Sequence, residues 1–69
     1  MTPGELLAGW LKEKGKREAD LVRESGLSPA AISKFVNGKR IPSRKSAIIL
    51  AKITEIPVIK LMGIDENAN

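Results

Sequence analysis

No cysteine and no histidine occur in the 69 residues. Without thiols the chain has neither a disulfide to staple it nor a thiolate to hold a metal. Without imidazole it also lacks the usual nitrogen ligand for metals and the side chain that titrates near neutral pH. Most enzyme chemistries fall away on these two absences. The acids lack a partner acid, base or metal cluster, and the hydroxyls of Ser28, Ser33 and Ser43 are explained as caps or surface groups. No catalytic residue, metal site, cofactor or small-molecule substrate is expected. There is no apolar run near the 18 or so residues that a membrane helix needs, and no charged n-region leads into an apolar h-region. A soluble, cytoplasmic protein with no membrane role is the expectation. Repeats, low-complexity segments and linkers are absent too, and the length allows one domain with a small core that partners can help to stabilise.

The most local absence is of negative charge. Between Glu24 and Glu55 there is no acidic residue, while Lys34, Lys39, Arg40, Arg44, Lys45 and Lys52 all lie in that window. Glu5, Glu13, Glu18, Asp20 and Glu24 precede it. Formal net charge is +4 and the pI about 9.8, above the threshold typical of nucleic-acid-binding domains but shared with many others. A basic stretch can equally be a solvated face, so its position on the fold must decide.

What is present reads as consecutive short helices. Thr2 can cap a first helix with Pro3 at its first position, and Leu6, Leu7, Trp10 and Leu11 form its apolar stripe before Gly15 ends it. A second helix, roughly Arg17 to Ser25, turns Leu21 and Val22 inward, and Gly26 closes it. Ser28 then caps a third helix, with Pro29 where a missing N–H does no harm. On a helical wheel Ala31, Ile32 and Phe35 share one side, and Ala30, Ser33, Lys34 and Asn37 the other. Gly38 ends it. Ser43 caps a fourth helix running to about Glu55, with Ala47, Leu50 and Ala51 inward and Thr54 a further candidate. Pro57 opens a short fifth helix with Val58, Leu61 and Met62 facing the core, closed by Gly63. The domain is expected over 1–64, and 65–69 as a polar, frayed tail.

Two short helices joined by a glycine-containing turn, spanning about 17–37, make a helix-turn-helix. The sequence resembles the phage lambda repressor and Cro type of DNA-binding domain (XRE-like). The resemblance is carried by Leu21 and Val22, Gly26-Leu27-Ser28 at the turn, Ile32 and Phe35, Asn37-Gly38-Lys39-Arg40, Pro42-Ser43, and the stretch LAKITEIPVIKLMG from Leu50 to Gly63. It implies an all-α, compact five-helix domain that lays its third helix in the major groove and works as a dimer on two half-sites. It also implies a prokaryotic or phage-encoded origin, with a phage or other mobile element as the plausible source.

The residues agree with that implication. A helix entering a groove about 12 Å wide needs small outer side chains, so the bare face of the third helix reads as clearance. Pro29, Ala30, Ser33 and Lys34 are the candidate base contacts: Lys34 can reach guanine O6 and N7, Ser33 can bond either way, and Pro29 or Ala30 can touch a thymine methyl. Candidate phosphate contacts are Ser28, Asn37, the N–H groups near Gly38, Lys39, Arg40, Arg44 and Lys45. Three positions depart from the family pattern: Glu18 stands where glutamine is common, Val22 where alanine is, and Lys16 where an apolar residue is.

The fourth helix carries more apolar residues than its inward stripe needs. Ile49 and Ile53 lie one turn apart, and Ile59 follows on the fifth helix; together they are the expected seam of a homodimer. With no room for a ligand or activation domain, the expected mechanism is a small Cro-like repressor that sits on a pseudo-palindromic double-stranded operator and occludes a promoter. The rival reading is an antitoxin-like or adaptor module whose isoleucines bind another protein, with DNA binding secondary.

Overall fold

The computed structural model describes residues 1–64, and over them the chain forms five helices: α1 (Pro3–Lys14), α2 (Glu18–Ser25), α3 (Pro29–Val36), α4 (Arg44–Thr54) and α5 (Val58–Leu61). No strand occurs among the described residues, so the all-α, five-helix expectation matches the fold. The tail expected to fray from Asp65 lies outside the described residues.

Local chemistry sets the helix ends. Thr2 Oγ1 accepts from the Glu5 N–H at 3.2 Å, and the Glu5 carboxylate accepts from the Thr2 N–H at 2.9 Å, which satisfies two first-turn donors reciprocally. These bonds, the backbone one foremost, hold the Glu5 carboxyl below its ordinary range. Ser28 and Ser43 cap α3 and α4 by accepting from Ala31 N–H at 3.1 Å and Ser46 N–H at 3.4 Å. α2 has no such hydroxyl; instead the Asp20 carboxylate accepts from the Arg17 N–H at 2.9 Å, and that bond, with the nearby cations, lowers the Asp20 pKa. The end of α4 is unusual. Glu55 closes it with φ of 64°, the left-handed conformation for which glycine is the common choice.

Leu7 and Leu11 of α1, Leu21 of α2, Ile32 and Phe35 of α3, Ala47 and Leu50 of α4 and Leu61 of α5 form one buried cluster. α3 packs on α1 and α2, α4 on α2 and α5, and α5 reaches back to α1. Thr54 is buried in this cluster's wall with its hydroxyl fully used, donating to Leu50 O at 2.9 Å and accepting from Ile56 N–H at 3.2 Å.

Lys16, the cation in a place that the family pattern leaves apolar, has a structural use. Its ammonium lies 5.4 Å from the centroid of the Trp10 ring and 3.0 Å from a Glu24 oxygen, tying α1 to α2 across their connection. Trp10 is half-buried beneath it. Exposed pairs of this kind contribute about 1 kcal/mol or less each, so the clamp helps the fold without deciding it.

Candidate nucleic-acid interface

α3 is held from behind and bare in front. Ile32 and Phe35 are buried, Ala31 and Val36 pack against the core, and Pro29, Ala30, Lys34 and the cap residue Asn37 are exposed, with Ser33 half-buried between them. The four expected base-contact residues therefore fall on one face, at relative positions i, i+1, i+4 and i+5. An α-helix with its side chains is about 10–12 Å across, close to the width of the major groove, so trimming the outer face to proline, alanine and serine lets the backbone approach base edges.

The turn that leaves α3 is tightly wound onto that helix's last carbonyls. Ser33 O accepts from Asn37 N–H at 3.0 Å and again from the Asn37 side-chain amide at 2.8 Å. Phe35 O accepts from Gly38 N–H at 3.2 Å, and Lys34 O accepts from both Lys39 N–H at 2.8 Å and Arg40 N–H at 3.2 Å. Gly38 makes the turn possible with φ of 74°.

These bonds correct one expectation. The N–H groups near Gly38 point back at α3 instead of outward, and the Asn37 amide is engaged with Ser33 O and Oγ. The helix end needs those donors for its own orphan carbonyls. What the turn offers to a phosphate is the side chains of Lys39 and Arg40, both exposed. Ser28, also exposed, caps through its oxygen and keeps its O–H to donate.

Charge placement singles out the same region. Acids stand in the first turns of α1 (Glu5) and α2 (Glu18, Asp20), where they complement the helix dipole, but the first turns of α3 and α4 hold none. α4 instead opens with two exposed cations, Arg44 and Lys45. Cations there oppose the dipole by roughly 0.3–1 kcal/mol each. The start of α4 breaks a local stability rule, the pattern expected where an external anion supplies the missing charge. Among the described residues the ion pairs are Lys16–Glu24 and Arg23–Asp20, so Lys34, Lys39, Arg40, Arg44 and Lys45 have no carboxylate partner there.

This geometry, a helix with a bare outer face leaving into a cationic turn, coincides with what the comparisons found: the family model described as "Helix-turn-helix" matches residues 7–61. The chain belongs to the lambda-repressor-like helix-turn-helix family. It is accordingly a DNA-binding regulator of transcription, and the family is not an enzymatic one. Comparison with curated proteins and with solved structures found no match. Among the described residues no helix of this helix-turn-helix protein is long and apolar enough to cross a membrane.

The isoleucines of the expected seam are not brought out together. Ile59 is exposed at 41%, Ile49 is half-buried, and Ile53 packs against the core, in a helix that contacts both α2 and α5. Ile53 is therefore not the water-exposed residue that its wheel position implied. Sequence reasoning missed Ile48, exposed at 37%, and Gly4, which lies buried against the exit turn of α3. Gly4 left a faint signal: a glycine in a helix's first turn, where alanine would favour helix formation.

Proposed function

We propose that this helix-turn-helix protein is a small Cro-like repressor that binds as a homodimer to a pseudo-palindromic operator and acts by occluding a promoter. α3 enters the major groove, with Pro29, Ala30, Ser33 and Lys34 at the base edges. Ser28, Lys39, Arg40, Arg44 and Lys45 hold the flanking phosphates, and Asn37 joins them when it exchanges Ser33 for a phosphate oxygen. The observation that carries this reading is the coincidence of a bare helix face with cations at two neighbouring helix ends that have no carboxylate partner among the described residues. Lys34 supplies the base contact with most discriminating power, since a lysine on guanine is worth about 1–3 kcal/mol against the wrong base.

Pairing supports affinity as well as register. One module making a handful of phosphate contacts binds with Kd of roughly 10⁻⁴ to 10⁻⁶ M near physiological salt, and tethering two raises the second module's effective concentration. The proposed seam is formed from α4 and α5, which pack on each other and carry Ile48 and Ile59, exposed, and Ile49 and Ile53, half-buried. A second reading, an adaptor that binds another protein, draws on the same exposed isoleucines, Ile41 and Ile64 included.

One experiment separates them. Selection of bound duplexes from a random pool, with sedimentation of the protein alone and on the winning site, should return palindromic sequences occupied by two chains. Non-palindromic winners would overturn the two-half-site reading, and no enrichment, or retention that is indifferent to salt, would favour the adaptor.

A further inference from the structure

The first turn of α1 lies against the exit turn of α3, and glycine makes that approach possible. A methyl group built at Gly4 would sit 2.9 Å from Phe35 O, 3.0 Å from Gly38 N and 3.1 Å from Gly38 Cα, all backbone atoms and all closer than a carbon normally comes. Gly4 lies outside the residues 7–61 that match the family model, while both of its backbone neighbours, Phe35 and Gly38, lie inside them.

Which side would yield follows from how each is anchored. Leu7 follows Gly4 one turn later with its side chain fully buried; Pro3 precedes it and is buried, and the Thr2–Glu5 capping box closes the turn between them. Phe35 is fixed by a side chain in the core. Gly38, Lys39 and Arg40 are exposed and held by N–H bonds to the last carbonyls of α3, and the chain is next buried at Pro42. Crowding at Gly4 bears on Phe35 O, which the core holds, and on Gly38, which it does not, so the exit turn, with the Lys39 and Arg40 side chains, is the side free to yield.

We propose that Gly4 is a positioning residue for DNA binding: by letting α1 seat directly on the backbone of Phe35 and Gly38, it fixes where Lys39 and Arg40 meet the phosphates. This rests on the reading of those two cations as phosphate contacts. Gly4 itself need touch no nucleic acid.

Gly9 provides the control within the same helix. Nothing lies within 4 Å of a methyl group built there, so Gly9→Ala should raise stability without touching the interface. The experiment compares the full chain with Gly4→Ala, Gly9→Ala, the double variant and Lys39→Ala/Arg40→Ala, titrating one random-sequence duplex between 50 and 200 mM salt. Each phosphate contact contributes about 0.9 to the slope of log K against log salt, or about a 3.5-fold loss of affinity over this fourfold range.

Removing Lys39 and Arg40 should shrink the salt-driven loss by about 12-fold per chain. The Gly4→Ala/Gly9→Ala protein, with stability restored by Gly9→Ala, should show much of the same reduction, and adding Gly4→Ala to the Lys39→Ala/Arg40→Ala protein should change the slope no further. A Gly4→Ala slope equal to wild type, with only a lower melting temperature, would overturn the positioning role and leave Gly4 a packing residue. No slope change on removing Lys39 and Arg40 would instead overturn the phosphate reading on which it rests.

Discussion

Lys45→Glu should make the protein more stable and a poorer DNA binder. Lys45 stands at the second position of α4, exposed, beside Arg44 and with no acid in the turn. A cation in a helix's first turn is unfavourable by about 0.3–1 kcal/mol and an anion there is favourable by a similar amount. The reversal sums to about 0.6–2 kcal/mol, and screening at an exposed site places the net gain near the lower end, about 0.5–1 kcal/mol. For a domain of this size that raises Tm by roughly 2–8 °C, readable by circular dichroism melting. Duplex titration should show the salt slope falling by about 0.9 per chain, with weaker binding at every sequence tested. Lys12→Glu makes the same charge change in the last turn of α1, outside the acid-free window, where it opposes the dipole. That variant should lose stability and affect DNA binding far less. Equal loss of binding from both would mean that only net charge matters, and unchanged binding by Lys45→Glu would remove the start of α4 from the interface.

Other consequences are as direct. Glu55→Gly should stabilise the fold by about 1 kcal/mol, because glycine relieves the left-handed strain at φ of 64°; a chemical-denaturation midpoint that falls would show that the Glu55 side chain supplies more than the conformation takes away. Glu5 has a depressed pKa in the folded chain, so its stabilisation is present above the ordinary glutamate value of about 4.3 and is lost as pH falls through the lowered one. Glu5→Gln should therefore flatten the fall of Tm as the pH is lowered below the ordinary glutamate value of about 4.3. Lys34→Ala should change the ranking of sites, whereas Arg40→Ala should weaken all sites alike; a Lys34→Ala protein that ranks sites as before would make Lys34 a phosphate contact.

Much of this fold is written in short-range chemistry. Thr2-Pro3, Ser28-Pro29 and Ser43 mark three helix starts, and Gly15 and Gly26 mark two ends, because caps and left-handed closures involve only neighbours along the chain. The bare face of α3 was legible for the same reason: a helical wheel needs only spacing. What escaped depends on distant partners. Ile53 looks exposed on a wheel and is half-buried against the core in a helix that packs on both α2 and α5. Lys16 looks misplaced until Trp10 and Glu24 are seen around it. The outward donors assumed near Gly38 are absent because the carbonyls of Ser33, Lys34 and Phe35 claim them, a competition that no spacing rule registers. Gly4 looks like a poor helix residue until the backbone of Gly38 is found against it. Glu55 closes a helix where glycine is the usual sign, so only the backbone angle reveals the cap.

Entry of α3 into the duplex is tested most directly by following backbone amide resonances during titration with a selected operator. Ala30, Ser33, Lys34 and the Lys39–Arg40 turn should shift most, while Arg23 and Glu24 on the outer side of α2 stay nearly fixed. Large shifts confined to α2, or to the isoleucine flank of α4 and α5, would contradict groove entry by α3.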